Sequence, residues 1–94
     1  MRLSKREIEA IRSVITKYDS SAKIHLFGSR VYDDKRGGDI DLLIFSGKLN
    51  FEKKIKIKVE LKELLGDQKI DIIIAKDKLN PFVDLVYDTS VRLS

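Results

Sequence analysis

Apolar residues fall into short runs, and their period changes along the chain. Ile8, Ile11, Val14 and Ile15 recur at three- and four-residue spacing, which puts them on one stripe of a helix. Ser4, followed three residues on by Glu7, forms a capping box in which each side chain satisfies a free backbone N–H. The spacing predicts a helix from about Ser4 to Tyr18. Lys23 to Phe27 is a short apolar strand that Gly28 and Ser29 break. A helical turn is expected through Arg30, Val31 and Tyr32. A polar loop follows from Asp33 to Gly38 and ends in two glycines. Asp39 to Phe45 is a strand with a hydrophobic body, and Ser46 to Asn50 is a loop.

The segment from Phe51 to Leu65 carries two signals. Ile55, Ile57, Val59 and Leu61 alternate with charges, as on a strand. Its length, the Asn50 cap, the many Lys, Glu and Leu residues and Gly66 beyond its end favour a helix. We read it as a helix. Lys69 to Ala75 is another strand, Pro81 opens a last helix through about Asp88, and Val91 to Leu93 is a short edge strand.

This order of elements predicts an α/β (α+β) fold, a small mixed β-sheet with helices packed on it. If the first two strands are antiparallel, the end of the first meets the start of the second. A helical crossover then makes the third strand parallel to the second. Gly28, Asp39 and Asp71 would all lie at one edge of the sheet.

Composition narrows the class. A chain of 94 residues suits one domain over 1–94, with no room for a lid. At 43% hydrophobic it can build a core, which excludes a disordered chain. With no cysteine there is no disulfide, thiolate zinc site or cysteine nucleophile. The start, MRLSKREIEAIRS, lacks the apolar stretch of a secretory signal. No apolar run is long enough to span a membrane. A cytoplasmic location is therefore expected. The net charge of +4 helps to attract phosphates. The basic residues are scattered with few aromatics among them, which disfavours a dedicated nucleic-acid-binding role.

The candidate chemistry is acidic. Asp39 and Asp41 sit two apart at the start of a strand, so their side chains point the same way. Two carboxylates held close repel unless protonated or neutralised. A divalent cation is the usual remedy, and an oxygen-only ligand set selects a hard ion such as Mg²⁺. Asp71 begins another strand inside KIDIII, where a carboxylate is costly unless it lies at the sheet edge. Three carboxylates can hold two metal ions about 4 Å apart, which fits an in-line phosphoryl displacement. Asp71 could also take the proton of the attacking hydroxyl. Alone, Asp-x-Asp is most often a solvated strand end.

Gly28 follows its strand directly, and a glycine there lets a ligand approach the backbone. Ser29 offers a hydroxyl and an N–H, and a helical turn starting there would suit a triphosphate. Arg30 either adds positive charge or anchors the turn. Taken alone, Gly-Ser reads as an ordinary strand-to-helix turn. It is not a Walker A loop, since no glycine–lysine–serine/threonine run follows.

Gly28-Ser29-Arg30, then Gly38-Asp39-Ile40-Asp41-Leu42, with Asp71 in a later strand, resembles the DNA polymerase β-like nucleotidyltransferase superfamily. The short length resembles its minimal nucleotidyltransferases. The resemblance implies that Gly28 and Ser29, with Arg30, bind the triphosphate of ATP. Asp39, Asp41 and Asp71 would bind two Mg²⁺ ions, and Asp71 would act on the acceptor hydroxyl. It also implies a partner, a HEPN-domain ribonuclease toxin, which an antitoxin of this family silences by moving AMP from ATP to a tyrosine. The alternative is a non-catalytic antitoxin that neutralises the toxin by covering it. Homodimers and hetero-oligomers both fit. One position departs from the family pattern, because Gly38 stands where a serine usually precedes the first aspartate.

Other residues invite plainer readings. His25, the only histidine, reads as a strand-face residue rather than a catalytic base. Tyr18, Tyr32 and Tyr87 could pack a core, an adenine or a partner. Lys53, Lys54, Lys56, Lys58 and Lys62 form the solvated face of a helix. Phe82, Val83, Leu85 and Val86 are expected to bury the last helix against the sheet, and any part left exposed would be a partner surface.

Overall fold

The computed structural model describes residues 1–34 and 38–94. Lys35, Arg36 and Gly37, within the expected polar loop, lie outside the described residues. The elements are α1 (Lys5–Tyr18), β1 (Lys23–Phe27), a 3₁₀ turn (Gly28–Val31), β2 (Ile40–Phe45), α2 (Phe51–Leu65), β3 (Ile70–Ala75), α3 (Pro81–Asp88) and β4 (Val91–Arg92).

Each helix starts where its side chains can cap it. Ser4 Oγ accepts the Glu7 N–H at 3.1 Å, and Glu7 Oε1 accepts the Ser4 N–H at 2.9 Å. Asn50 Oδ1 accepts the Lys53 N–H at 2.9 Å, and Gly66 ends α2 at φ 82°. These caps decide the ambiguous segment in favour of a helix. Its alternating apolar residues then divide. Ile57 and Leu61, one turn apart, are buried, whereas Ile55 and Val59 are turned to solvent.

The sheet order is β3-β2-β1-β4. β1 pairs antiparallel with β2 and β4, and β2 pairs parallel with β3, as the crossover argument expects. The result is a small mixed α/β fold. Strand alternation gives the sheet two unlike faces. Ile24, Leu26, Ile40, Leu42, Ile44, Ile70 and Ile72 form one face and share a core with Ile11 and Ile15 of α1 and Ile57 and Leu61 of α2. His25, Asp41, Leu43, Phe45 and Asp71 belong to the other face, away from those two helices.

On that second face, α3 brings Tyr87 against His25 and Phe45. Asn80 Oδ1 caps α3 by accepting the Phe82 N–H at 2.8 Å, with Pro81 in the first turn. Here the expectation from sequence needs correction. Val83 is buried and Val86 half-buried, but Phe82 and Leu85 are 57% and 68% exposed. A helix of 8 residues lying on a sheet turns only one narrow stripe inward, so four apolar residues spread over successive positions cannot all be covered. No helix among the described residues is long and apolar enough to cross a membrane.

Candidate active site

Asp41 and Asp71 are register partners on the parallel strands β2 and β3. Their neighbours Ile40, Leu42, Ile70 and Ile72 point into the core, so both carboxylates point out of the opposite face. Asp39 immediately precedes β2, whose first N–H, from Ile40, donates to the Lys69 carbonyl at 3.0 Å. The three aspartates are half-buried, and each offers a carboxylate oxygen within 4.8 Å of the others.

This crowding has an electrostatic cost. The Asp41 carboxyl is pushed up to about 6, first by burial and then by the charges of Asp71 and Asp39. The Lys69 ammonium, 3.6 Å from Asp39 Oδ2, offsets part of the negative charge. Its side chain is well exposed, so water screens the contact. The cluster keeps an excess of negative charge, as a cation site does.

The glycine–serine turn stands directly against it. Gly28 has φ 78°, and a Cβ there would lie 3.1 Å from Asp41 Cγ and overlap its Oδ2. The missing side chain is what lets the Asp41 carboxylate sit beside the backbone. The 3₁₀ turn begins at Gly28 with no side chain capping it. Gly38 has φ 89°, and a Cβ there would lie 3.2 Å from Ser29 Cβ and overlap its Oγ. The Ser29 hydroxyl therefore occupies space that a side chain at position 38 would need.

Arg30 shows the anchoring contacts. Its guanidinium donates to the Gly38 carbonyl at 3.3 Å, the Arg2 carbonyl at 3.0 Å and Gln68 Oε1 at 2.6 Å. Three acceptors from three segments hold this fork in place. Arg2 works from the other side, with its N–H on the Arg30 carbonyl at 2.7 Å and its side chain on the Ser29 carbonyl at 3.0 Å. A strand-end glycine, a serine turn and a carboxylate triad, braced in this way, now stand at one edge of the sheet.

The sequence pattern described as polymerase beta, nucleotidyltransferase matches residues 9–93. The chain belongs to the polymerase beta nucleotidyltransferase family. No curated protein matches it. Its general role is therefore nucleotidyl transfer, and nucleotidyltransferase domains usually use divalent metals. The residues present fit that requirement, since the donors are all carboxylate oxygens, converge within 4.8 Å and repel one another without a cation.

The sequence reading brought Gly28, Ser29, Arg30, Asp39, Asp41 and Asp71 to this region, and the structure gathers them there. It missed Arg2, Gln68 and Lys69. Lys69 lies two residues before Asp71, so its place beside Asp39 follows once the strands are known to be parallel. Nothing local marks Arg2 or Gln68, whose partners are distant in sequence. His25 lies elsewhere on the sheet face, between Phe45 and Tyr87, with its Nδ1 3.2 Å from Ser90 Oγ.

Proposed function

We propose that this nucleotidyltransferase moves AMP from ATP to a tyrosine hydroxyl of a HEPN-domain toxin, and so acts as that toxin's antitoxin. The observation that carries the chemical part is the meeting of Asp39, Asp41 and Asp71 within 4.8 Å beside Gly28 and Ser29. In this reading the three aspartates hold two Mg²⁺ ions. Bound there, the ions would supply Lewis-acid activation of the acceptor hydroxyl and neutralise charge on the triphosphate. The Gly28–Ser29 backbone and the Ser29 hydroxyl bind triphosphate oxygens. Arg30 holds that turn in shape and adds positive charge behind it. The acceptor oxygen attacks the α-phosphorus, the bond to the β-phosphate breaks and pyrophosphate leaves. Asp71 takes the acceptor's proton. The choice of adenine, of tyrosine and of the toxin rests on resemblance to minimal nucleotidyltransferases.

The second reading is neutralisation by covering. The exposed Leu79, Phe82 and Leu85 around α3 favour it, because they offer apolar surface to a partner. One experiment separates the two. The HEPN protein is incubated with this chain, ATP and Mg²⁺, and its intact mass is measured. Transfer adds one adenylyl group per modified tyrosine, and Asp39→Asn or Asp41→Asn abolishes the addition while the variant stays folded. Binding without any mass increase ends the transfer reading. Neutralisation that survives in both variants favours the covering one.

A further inference from the structure

Toward the end of the sheet away from the aspartates lies a cavity of about 500 Å³. That volume is within the range of small-molecule sites, roughly 300–1,000 Å³. Its wall includes the first residue of β1, Lys23, and the last of β2, Phe45. Phe45 lies four residues along β2 from Asp41, which is about 13 Å at a strand's rise per residue. None of the three aspartates lines the cavity, although His25, the register partner of Leu43, brings its near wall to within two strand positions of Asp41.

Its chemistry is the reverse of the triad's. Lys23, Lys76, Lys78 and Arg92 line it against two carboxylates, Asp19 and Asp77. Neither acid is ion-paired with one of these cations, and the lining keeps an excess of positive charge. The buried Asp19 carboxylate accepts hydrogen bonds from the Ser21 N–H and hydroxyl and from the Ser46 hydroxyl. Asp77 accepts the Leu79 N–H at 2.9 Å. Arg92 already donates from Nε to the Ser94 oxygen, while among the described residues Lys23, Lys76 and Lys78 are in no ion pair with a carboxylate. Like charges facing one cavity repel, and an anion relieves that repulsion.

The cavity also has an aromatic side. His25, Phe45 and Tyr87 pack edge to face or tilted, with ring centroids 5.1–5.8 Å apart. The Lys78 ammonium stands 4.2 Å from the Tyr87 ring centroid, so positive charge already meets a ring face. Cations next to aromatic rings suit a ligand that is both anionic and planar. We propose that this cavity is a second nucleotide site, binding a free nucleoside phosphate through Lys23, Lys76, Lys78 and Arg92 and its base through the Phe45–Tyr87 side. It needs no metal ion, because the protein itself supplies the positive charge. The triad, being acidic, repels phosphate unless a cation intervenes. Metal dependence therefore separates the two sites, and this proposal stands or falls apart from the AMP-transfer reading.

The test is titration of ADP into the full chain with all divalent ions chelated, followed by calorimetry and amide NMR. Expected are saturable binding and shifts at Lys23, His25, Tyr87 and Arg92, within about twofold of the same affinity in Asp41→Asn. The exposed double substitution Lys76→Glu/Lys78→Glu, checked for folding by its melting curve, should weaken binding at least about tenfold. Pyrophosphate should bind at least about fivefold more weakly than ADP, because it has no base to stack. No binding under chelation would overturn the proposal. So would shifts confined to Gly28, Ser29 and Asp41, or affinity indifferent to the double substitution. Equal binding of ADP and pyrophosphate would overturn the base-binding part and leave only an anion site.

Discussion

At the residue scale, Gly28 and Gly38 contribute through the space they leave. Both have positive φ, a conformation that costs an L-residue with a side chain about 1–2 kcal/mol. They differ in what a Cβ would strike. At Gly28 it meets the Asp41 carboxylate, and at Gly38 it meets Ser29. Gly28→Ala and Gly38→Ser should both lower the melting temperature. Mg²⁺ should raise the melting temperature of the unsubstituted protein, and only Gly28→Ala should also remove that rise, because only it displaces a carboxylate of the triad. Gly38→Ser should slow the proposed transfer, since Ser29 must move. A faster Gly38→Ser enzyme, or a Gly28→Ala protein still stabilised by Mg²⁺, would contradict this geometry.

At the element scale, α2 shows how a helix can hide inside a strand-like pattern. Ile55 and Ile57 look equivalent by alternation, but two helical steps turn them about 200° apart, onto nearly opposite sides of the helix. Ile57 is fully buried and Ile55 is 47% exposed. Ile57→Ala should cost about 2–5 kcal/mol through lost burial and the cavity left behind. Ile55→Ala should cost under about 1 kcal/mol. Urea denaturation of the two variants measures both. Equal losses would mean that the segment presents its alternating residues to one surface, as a strand does. The exposed row of Phe51, Ile55 and Val59, spaced one turn apart, follows from the same geometry.

At the scale of the whole molecule, the triad links stability to pH and to metal. Burial and the Asp71 and Asp39 charges raise the Asp41 carboxyl from its ordinary 3.8 to about 6 in the folded chain. A carboxyl raised on folding stabilises the native state below its unfolded value, and that contribution is lost as pH rises through about 6. The metal-free protein should therefore lose part of its stability between pH 5 and pH 7.5. A divalent ion held by the triad would bind the ionised carboxylates, so the stabilising effect of Mg²⁺ should be larger at pH 7.5 than at pH 5. Melting curves in Mg²⁺ and in chelator at the two pH values measure both slopes. Asp41→Asn should flatten this pH dependence and remove most of the Mg²⁺ effect. A Mg²⁺ effect equal at both pH values would argue against ion binding at these carboxylates.

The sequence by itself determined what local chemistry controls. Ser4 with Glu7, Asn50, and Asn80 with Pro81 mark helix starts because a cap and its target N–H lie within a few residues. The strands around Asp41 and Asp71 were legible because alternation and apolar runs are local patterns. So was the expectation that the third strand lies parallel to the second, since a helical crossover leaves few alternatives. Tertiary structure decided everything that depends on contacts between distant segments. The 4.8 Å convergence of the triad, the fit of Asp41 against Gly28 and the bracing of Arg30 by Arg2 and Gln68 are of this kind. It also decided that Phe82 and Leu85 stay exposed and that four cations meet at the far end of the sheet. The physical reason is one of range. Caps and periodicity act within a few residues, whereas close approach and the sharing of charge depend on where the folded chain brings remote residues to rest.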